Sequence, residues 1–215
     1  MRPILIILLL VLVAPAGAGD LGDYMMEKAE ELRLAATAGP VGVTAAASYY
    51  VLTANGFERE TEGSNGWHCF VERAFFVPSS SGSGYDTSIR APHCINAEGA
   101  ATRMQEVFMR ARLALEGLDQ EAVNAAVNAA FQSGDLRPPA GFAMTYMMSP
   151  EQWLGDDAGH WHPHLMFWVP YLDNEDVGGN PPMGVLPFIG SDSGSRSAVL
   201  IVAVPPLGRE GQAAH

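Results

Sequence analysis

Three histidines stand at alternate positions in one short segment: His160, His162 and His164. On an extended chain, side chains at positions i, i+2 and i+4 point to the same face. Imidazole nitrogen is a common ligand of zinc and copper. The spacing therefore predicts a zinc or copper site on these histidines, with the carboxylates of Asp156 and Asp157 near enough in sequence to complete it.

The same segment also has a structural interpretation. Pro163 interrupts the alternation, because proline cannot donate to a strand ladder and is typical of a loop or of a strand end. In that case His164 is a partly buried residue bonded to a carbonyl or carboxylate, and His160 and His162 are solvated. The metal interpretation predicts a metal-binding protein or a hydrolase whose metal acidifies a bound water.

The second half of the chain is rich in soft and aromatic side chains: Met144, Met147, Met148, Met166, Met183, Tyr146, Phe167, Trp168 and Tyr171. Core packing explains such residues by default, but methionine and aromatic side chains also line binding surfaces. Our preferred hypothesis is a non-catalytic domain that binds an unidentified small molecule or protein partner through this sheet face or its bordering loops.

Charged residues end a predicted strand where apolar residues are expected. The strand ends with Glu72 and Arg73, and the next predicted helix begins near Glu98. We expect an ion pair between this strand end and Glu98. As an alternative, Glu98 is a general base near His93 or His164 if the fold forms a cleft there.

The N-terminus has the three parts of a cleavable signal peptide. Met1-Arg2 supplies a positive charge, residues 4–13 form an apolar run, and Ala16-Gly17-Ala18 has the small side chains that signal peptidase requires. The run is well short of the roughly 20 residues that span a bilayer. We predict a signal peptide over residues 1–18, export to the periplasm or the medium, and no stable membrane insertion after cleavage.

Two cysteines, Cys69 and Cys94, are the only ones in the chain. In an oxidising compartment two cysteines most often form a disulfide. Two thiols at a redox or metal site are the alternative, although a C-x-x-C pair is missing. The predicted disulfide encloses a loop at 78–92 that we expect to be flexible, because it contains a serine- and glycine-rich tract.

The charge of the chain limits its partners. Acidic residues number 24 and lysine plus arginine 12, which gives a formal net charge of −12. Such a surface repels phosphate backbones, so we expect no nucleic-acid partner. Residues 19–215 are long and apolar enough for a single domain, with a disordered tail at 207–215.

Strand and helix patterns alternate along the mature chain. Strands are predicted near 48–53, 57–61, 67–73, 142–148, 164–169 and 197–204, the first three as a meander. A helix is predicted over 23–38, and apolar stripes separated by Gly117 predict a central helical hairpin. The sequence therefore predicts an α+β fold with a largely antiparallel sheet of about five to six strands.

Several segments together resemble a family of uncharacterised exported bacterial proteins. They are Val51–Thr53, Asn65–Arg73, Cys94 with Ala97–Gly99, Tyr146–Ser149, Pro163–Phe167 and Pro170–Leu172. The resemblance covers most of the mature chain and implies export and a shared fold, but no activity. It also implies that His164 belongs to a shared strand pattern, whereas His160 and His162 lie in a variable loop.

Overall fold

One eight-stranded sheet organises the part of the chain that the structure describes. The structure is a computed structural model that describes residues 21–79, 85–156, 158–179, 187–190 and 192–206. The predicted signal peptide and C-terminal tail lie outside these residues. In the described part of the chain, no helix is long and apolar enough to cross a bilayer.

The strands are ordered β2-β1-β3-β4-β5-β6-β8-β7 across the sheet. Their bounds are β1 Ser48–Thr53, β2 Gly56–Thr61, β3 His68–Glu72, β4 Ala91–Ile95, β5 Met144–Met147, β6 His164–Trp168, β7 Phe188–Ile189 and β8 Val199–Ala203. β1 and β3 are parallel, and the other neighbouring strands are antiparallel. The sheet is therefore mixed rather than purely antiparallel.

The predicted disulfide between Cys69 and Cys94 is present, and it joins directly opposite residues of β3 and β4. Their Cα atoms are 4.1 Å apart, a distance typical of the non-hydrogen-bonded pairs of an antiparallel ladder. The cross-link spans a sequence separation of 25 residues. Closing a loop of that size in the unfolded chain stabilises a fold by about 3 kcal/mol.

β4 contains a proline, and its place in the ladder explains why the strand tolerates it. Pro92 is two residues from Cys94, so its pair with Val71 is also of the non-hydrogen-bonded type. The nitrogen of Pro92 therefore points away from β3. Among the described residues, β5 pairs with β4 at Cys94 and Ile95, beyond the proline. No strand partner needs an N–H from Pro92.

Helices cover both faces of the β1–β4 half of the sheet. They are α1 Lys28–Ala35, α2 Val41–Thr44, α3 Ala97–Ala100, α4 Arg103–Leu115 and α5 Gln120–Ser133. α1 and α2 pack on the disulfide face, against Cys69 and Val71. α3 and α4 pack on the opposite face, against Phe70 and Ile95, and α5 packs on α4.

The prediction of mixed α and β structure with one disulfide is confirmed, but the predicted strand count is wrong. All six predicted strands are present, and two strands were missed. β4 was missed because Pro92 and the preceding serine-rich tract indicate a loop, and β7 because it has only two residues. The predicted meander is also wrong, because β3 pairs with β1 rather than with β2.

The helix arrangement differs from the prediction at the N-terminus. The helix predicted over 23–38 is shorter in the structure: a 3-10 turn at Leu21–Tyr24 precedes α1, and α1 covers only Lys28–Ala35. α2 lies beyond the predicted range, after Pro40, whose extended backbone separates α2 from α1. The two central helices lie where the apolar stripes place them. Asp119 caps α5 by accepting from the N–H of Ala122 at 2.8 Å.

Candidate functional site

The three histidines of the predicted metal site lie on different kinds of backbone. β6 begins at His164, so the segment with His160 and His162 precedes the strand, and the same-face argument does not apply to it. His160 and His162 are exposed, whereas His164 is buried. Within the described residues, no group of three or more His, Cys, Asp or Glu side chains is arranged to hold a metal ion. Asp157 lies outside those residues, and the zinc or copper site stays a prediction.

Backbone carbonyls orient two of these imidazoles. His160 Nδ1 donates to the carbonyl of Gln152 at 2.7 Å, and His164 Nδ1 donates to the carbonyl of His162 at 2.7 Å. Because a carbonyl oxygen can only accept, the proton of each neutral ring lies on Nδ1. The buried amide of Gln152 donates in turn to the carbonyl of Trp161 at 2.6 Å. The loop before β6 is therefore held in one conformation by its own hydrogen bonds.

A row of ionisable side chains lies between α4 and the strands β3 and β4, and we call its five residues the polar row. His93 Nε2 lies 3.2 Å from Glu72 Oε2, and Glu72 Oε1 lies 3.8 Å from Arg103 Nη2. Glu106 joins Arg103 to Arg110 through contacts of 2.9 Å to each guanidinium. Acidic and basic groups alternate along the polar row, so its charges largely neutralise each other.

Burial shifts the titration of the polar row. It lowers the pKa of His93 to about 3, and the positive charge of Arg103 acts in the same direction. The imidazole of His93 is therefore uncharged at neutral pH. Burial raises the pKa of Glu72, although Arg103 opposes this shift. Burial also lowers the pKa of His164, two strands from β4 on the same sheet face, to about 4.

A cavity of about 430 Å³ lies beside the polar row, between the end of β3 and the helices α4 and α5. Most of its lining is apolar: Ala74, Phe75, Phe76, Val77, Ile89, Ala91, Val107, Ala111, Val123 and Leu154. Its polar lining consists of Glu72, Arg73, Arg110 and Gln120. A cavity of this volume with few polar groups is typical of small-molecule sites.

The path of the chain after β3 creates the cavity. β3 ends at Glu72, and the residues after it turn away from the sheet toward the side of the molecule where α5 lies. Phe75 is fixed at the inner end, because the hydroxyl of Tyr24 donates to its carbonyl at 3.0 Å and the two rings lie 4.6 Å apart. Val77 and Gln120 are exposed, so they mark the rim.

Arg73 points to the opposite face of the sheet and forms a buried ion pair with α1. Its Nη2 lies 2.8 Å from Glu31 Oε1, and both side chains are almost completely inaccessible to solvent. Glu31 also accepts from the N–H of Leu52 at 3.2 Å, and Arg73 Nε donates to the carbonyl of Tyr24 at 3.0 Å. The pair therefore connects the N-terminal segment and α1 to β1 and β3, next to the cavity.

The predicted ion pair between the end of β3 and Glu98 is wrong. Glu98 instead binds Arg137 at 2.9 Å and accepts from the N–H of Ala140 at 3.0 Å. The Arg137 guanidinium and this N–H lower the pKa of Glu98 to about 2. Glu98 does not line the cavity described above, so its role as a general base stays a prediction.

The predicted methionine- and aromatic-rich surface is divided between the core and one sheet face. The described methionines of that set are buried: Met144, Met147, Met148 and Met166. Met183 lies outside the described residues. Several apolar residues of β6 and β8 lie on the sheet face that is opposite to the polar row. We call these residues, together with the adjoining Phe142, the outer face. Its members are Phe142, Leu165, Phe167, Leu200 and Val202, of which Phe142 is exposed and the others half-buried.

A second depression, of about 470 Å³, lies between the start of β2 and the helices α4 and α5. Polar side chains make up a larger share of its lining: Asn55, Gln105, Arg112 and Asp135. A ligand there would remove less apolar surface from water, which is the main source of affinity for small molecules. The cavity beside the polar row is therefore the better candidate site.

Sequence reasoning missed the polar row apart from the charges at the end of β3. Arg103, Glu106 and Arg110 follow one another at spacings of three and four, which places them on one side of a helix. That spacing was the available signal. No sequence signal indicated that His93 lies near Glu72. β4 was not recognised as a strand, and the contact between the two residues depends on the register of β3 and β4.

Comparison with protein-family models, with curated proteins and with solved structures gave no match to this chain. The resemblance to a family of exported proteins therefore stays a prediction. The function must be argued from the geometry of the chain itself.

Proposed function

We propose that this protein is an exported, non-catalytic ligand-binding domain that holds a small, largely apolar molecule in the cavity beside the polar row. One observation supports the proposal above the others. The cavity joins an apolar lining, with Phe75, Ile89 and Leu154 among its members, to a few polar groups on one wall. This is the combination that small-molecule sites use for affinity and orientation.

The lining supplies a driving force for binding. Each Å² of apolar surface removed from water is worth about 25 cal/mol, so a ligand that buries about 200 Å² gains about 5 kcal/mol before the costs of association. The cavity is bordered by α4 and α5, which pack through Leu113, Val123 and Val127. A largely preformed site loses little free energy to ordering when the ligand enters.

Export is part of the proposal. The predicted signal peptide and the predicted periplasmic or extracellular location rest on the N-terminal sequence. The disulfide between Cys69 and Cys94 is compatible with an oxidising compartment. A protein partner on the outer face and a metal-dependent role for His160, His162 and His164 remain further predictions.

Filling the cavity is expected to abolish most of the binding. Ala74 is half-buried and lines the cavity, so Ala74→Trp places an indole ring in the space that a ligand would occupy. We expect the affinity for the uncharged fluorescent probe N-phenyl-1-naphthylamine to fall at least about tenfold, which corresponds to 1.4 kcal/mol. A fluorescence titration of the wild type and the variant measures this change.

Ala125→Trp is the matched control. Ala125 is exposed on α5 and does not line the cavity, so this variant adds an indole ring without filling the site. It is expected to bind the probe as the wild type does. Equal affinity of Ala74→Trp and the wild type, with both folded by circular dichroism, would remove the cavity as the binding site.

A further inference from the structure

The polar wall of the cavity presents two opposite charges to a ligand. Among the described residues, Glu72 has one short contact, to His93 at 3.2 Å, and its other oxygen lies 3.8 Å from Arg103, longer than a hydrogen bond. A carboxylate can accept about four hydrogen bonds. About a quarter of the Glu72 side chain is accessible, and Glu72 lines the cavity. It therefore keeps acceptor capacity for a donor inside the cavity.

Arg110 is the matching cationic group. Its Nε donates to Glu106 at 2.9 Å, and its Nη1 donates to Asn124 at 2.8 Å. A guanidinium has five N–H donors, so the two bonds to described residues leave three donors over. The two bonds also fix the side chain, which is about one-third accessible and contributes to the cavity lining. A carboxylate that binds there would find an oriented partner at little further cost in side-chain entropy.

The overall charge of the protein narrows the class of ligand. At a formal net charge of −12, the surface repels small anions, which argues against a simple carboxylate. A simple ammonium ion would meet Glu72 but would also lie near the cation of Arg110, which lines the same cavity. A molecule that carries both charges avoids both penalties, because its net charge is zero and each end meets a group of opposite sign.

We propose that the ligand is a free α-amino acid with an apolar side chain, its ammonium group bound by Glu72 and its carboxylate by Arg110. The side chain would lie against Phe75, Ile89, Val123 and Leu154, which form the apolar part of the cavity. In an α-amino acid both charges stand on one carbon, so the side chain can point away from the polar wall. This inference rests on the proposed function, whose site it shares.

Calorimetric titration of the full mature protein tests the inference with three related molecules. L-Leucine has both charges, N-acetyl-L-leucine lacks the ammonium group, and L-leucinamide lacks the carboxylate. A charge-assisted hydrogen bond lost from a partly buried site corresponds to about a 10- to 100-fold loss of affinity. L-Leucine is therefore expected to bind at least about tenfold more tightly than either derivative.

Two variants connect each charge to its residue. Glu72→Gln is expected to weaken L-leucine binding about 10- to 100-fold and to leave the binding of N-acetyl-L-leucine nearly unchanged. Arg110→Gln is expected to weaken L-leucine and to leave L-leucinamide nearly unchanged. Arg112→Gln is the control, because Arg112 lies on the same helix, pairs with Glu116 and does not line this cavity. It should bind all three molecules as the wild type does.

The outcomes separate this inference from the proposed function. Binding of N-phenyl-1-naphthylamine without any binding of L-leucine at millimolar concentration would overturn the amino-acid assignment and leave the cavity as a site. Equal affinity for all three leucine compounds, or an equal loss of all three in Glu72→Gln, would also overturn it. Failure of both the probe and L-leucine to bind would overturn the proposed function as well.

Discussion

Replacing Arg73 by methionine is expected to lower the free energy of unfolding by about 3–5 kcal/mol. Methionine can fill the space of the aliphatic part of the side chain, but it leaves the carboxylate of Glu31 buried without its partner at 2.8 Å. The hydrogen bond to the carbonyl of Tyr24 is lost as well. Urea unfolding at pH 7, followed by circular dichroism, measures the change.

Two further variants show that the loss comes from the buried charge. Glu31→Gln combined with Arg73→Met should be more stable than Arg73→Met alone, because the glutamine still accepts from Leu52 N–H and neither charge of the pair remains. Arg59→Met is the control at an exposed pair with Glu62 and should cost less than about 1 kcal/mol. A similarly small cost for Arg73→Met would contradict the role of the pair in holding α1 against the sheet.

Lowering the pH from 6.5 toward 4 is expected to destabilise the fold, with His164 contributing about 3 kcal/mol. Burial lowers the pKa of His164 to about 4 in the folded state from an ordinary value of 6.5. Between these values the unfolded chain binds a proton that the folded chain does not. The stabilisation is therefore complete above pH 6.5 and is lost as the pH falls through this window. His93, with a pKa of about 3, acts in the same direction.

His164→Asn separates this contribution from that of the carboxyl groups. The amide of asparagine can still donate to the carbonyl of His162, but it does not titrate. The free energy of unfolding of the variant should fall less steeply with pH than that of the wild type, by up to about 1.4 kcal/mol per pH unit. The raised pKa of Glu72 opposes the loss of stability at low pH, and it does so equally in the wild type and in His164→Asn. Identical slopes between pH 4 and 6.5 would contradict the assignment.

Local sequence patterns predicted much of the fold. Apolar stripes located α4 and α5, and the cap at Asp119 and the positive φ of Gly134 mark the two ends of α5. The pairing of Cys69 with Cys94 followed from the number of cysteines and the expected compartment. These features depend on short-range geometry or on composition, which a single sequence contains.

Features that depend on long-range register were not predictable in the same way. The placement of β3 beside β1 rather than β2 is set by packing of the whole sheet. β4 was hidden by Pro92, whose tolerance depends on which side of the ladder its nitrogen faces. The polar row also depends on long-range packing, since it needs β4 beside β3 and α4 above these two strands. The sequence shows charged residues at the end of β3 and on α4, but it does not show that these residues come into contact.

Methyl-detected NMR shows whether a small apolar ligand enters the cavity beside the polar row. N-Phenyl-1-naphthylamine would be titrated into mature protein labelled at its isoleucine, leucine and valine methyl groups. The largest shifts are expected at Ile89, Val107, Val123 and Leu154, which line the cavity. Shifts confined to Leu165, Leu200 and Val202 would instead place binding on the outer face and contradict the proposed function.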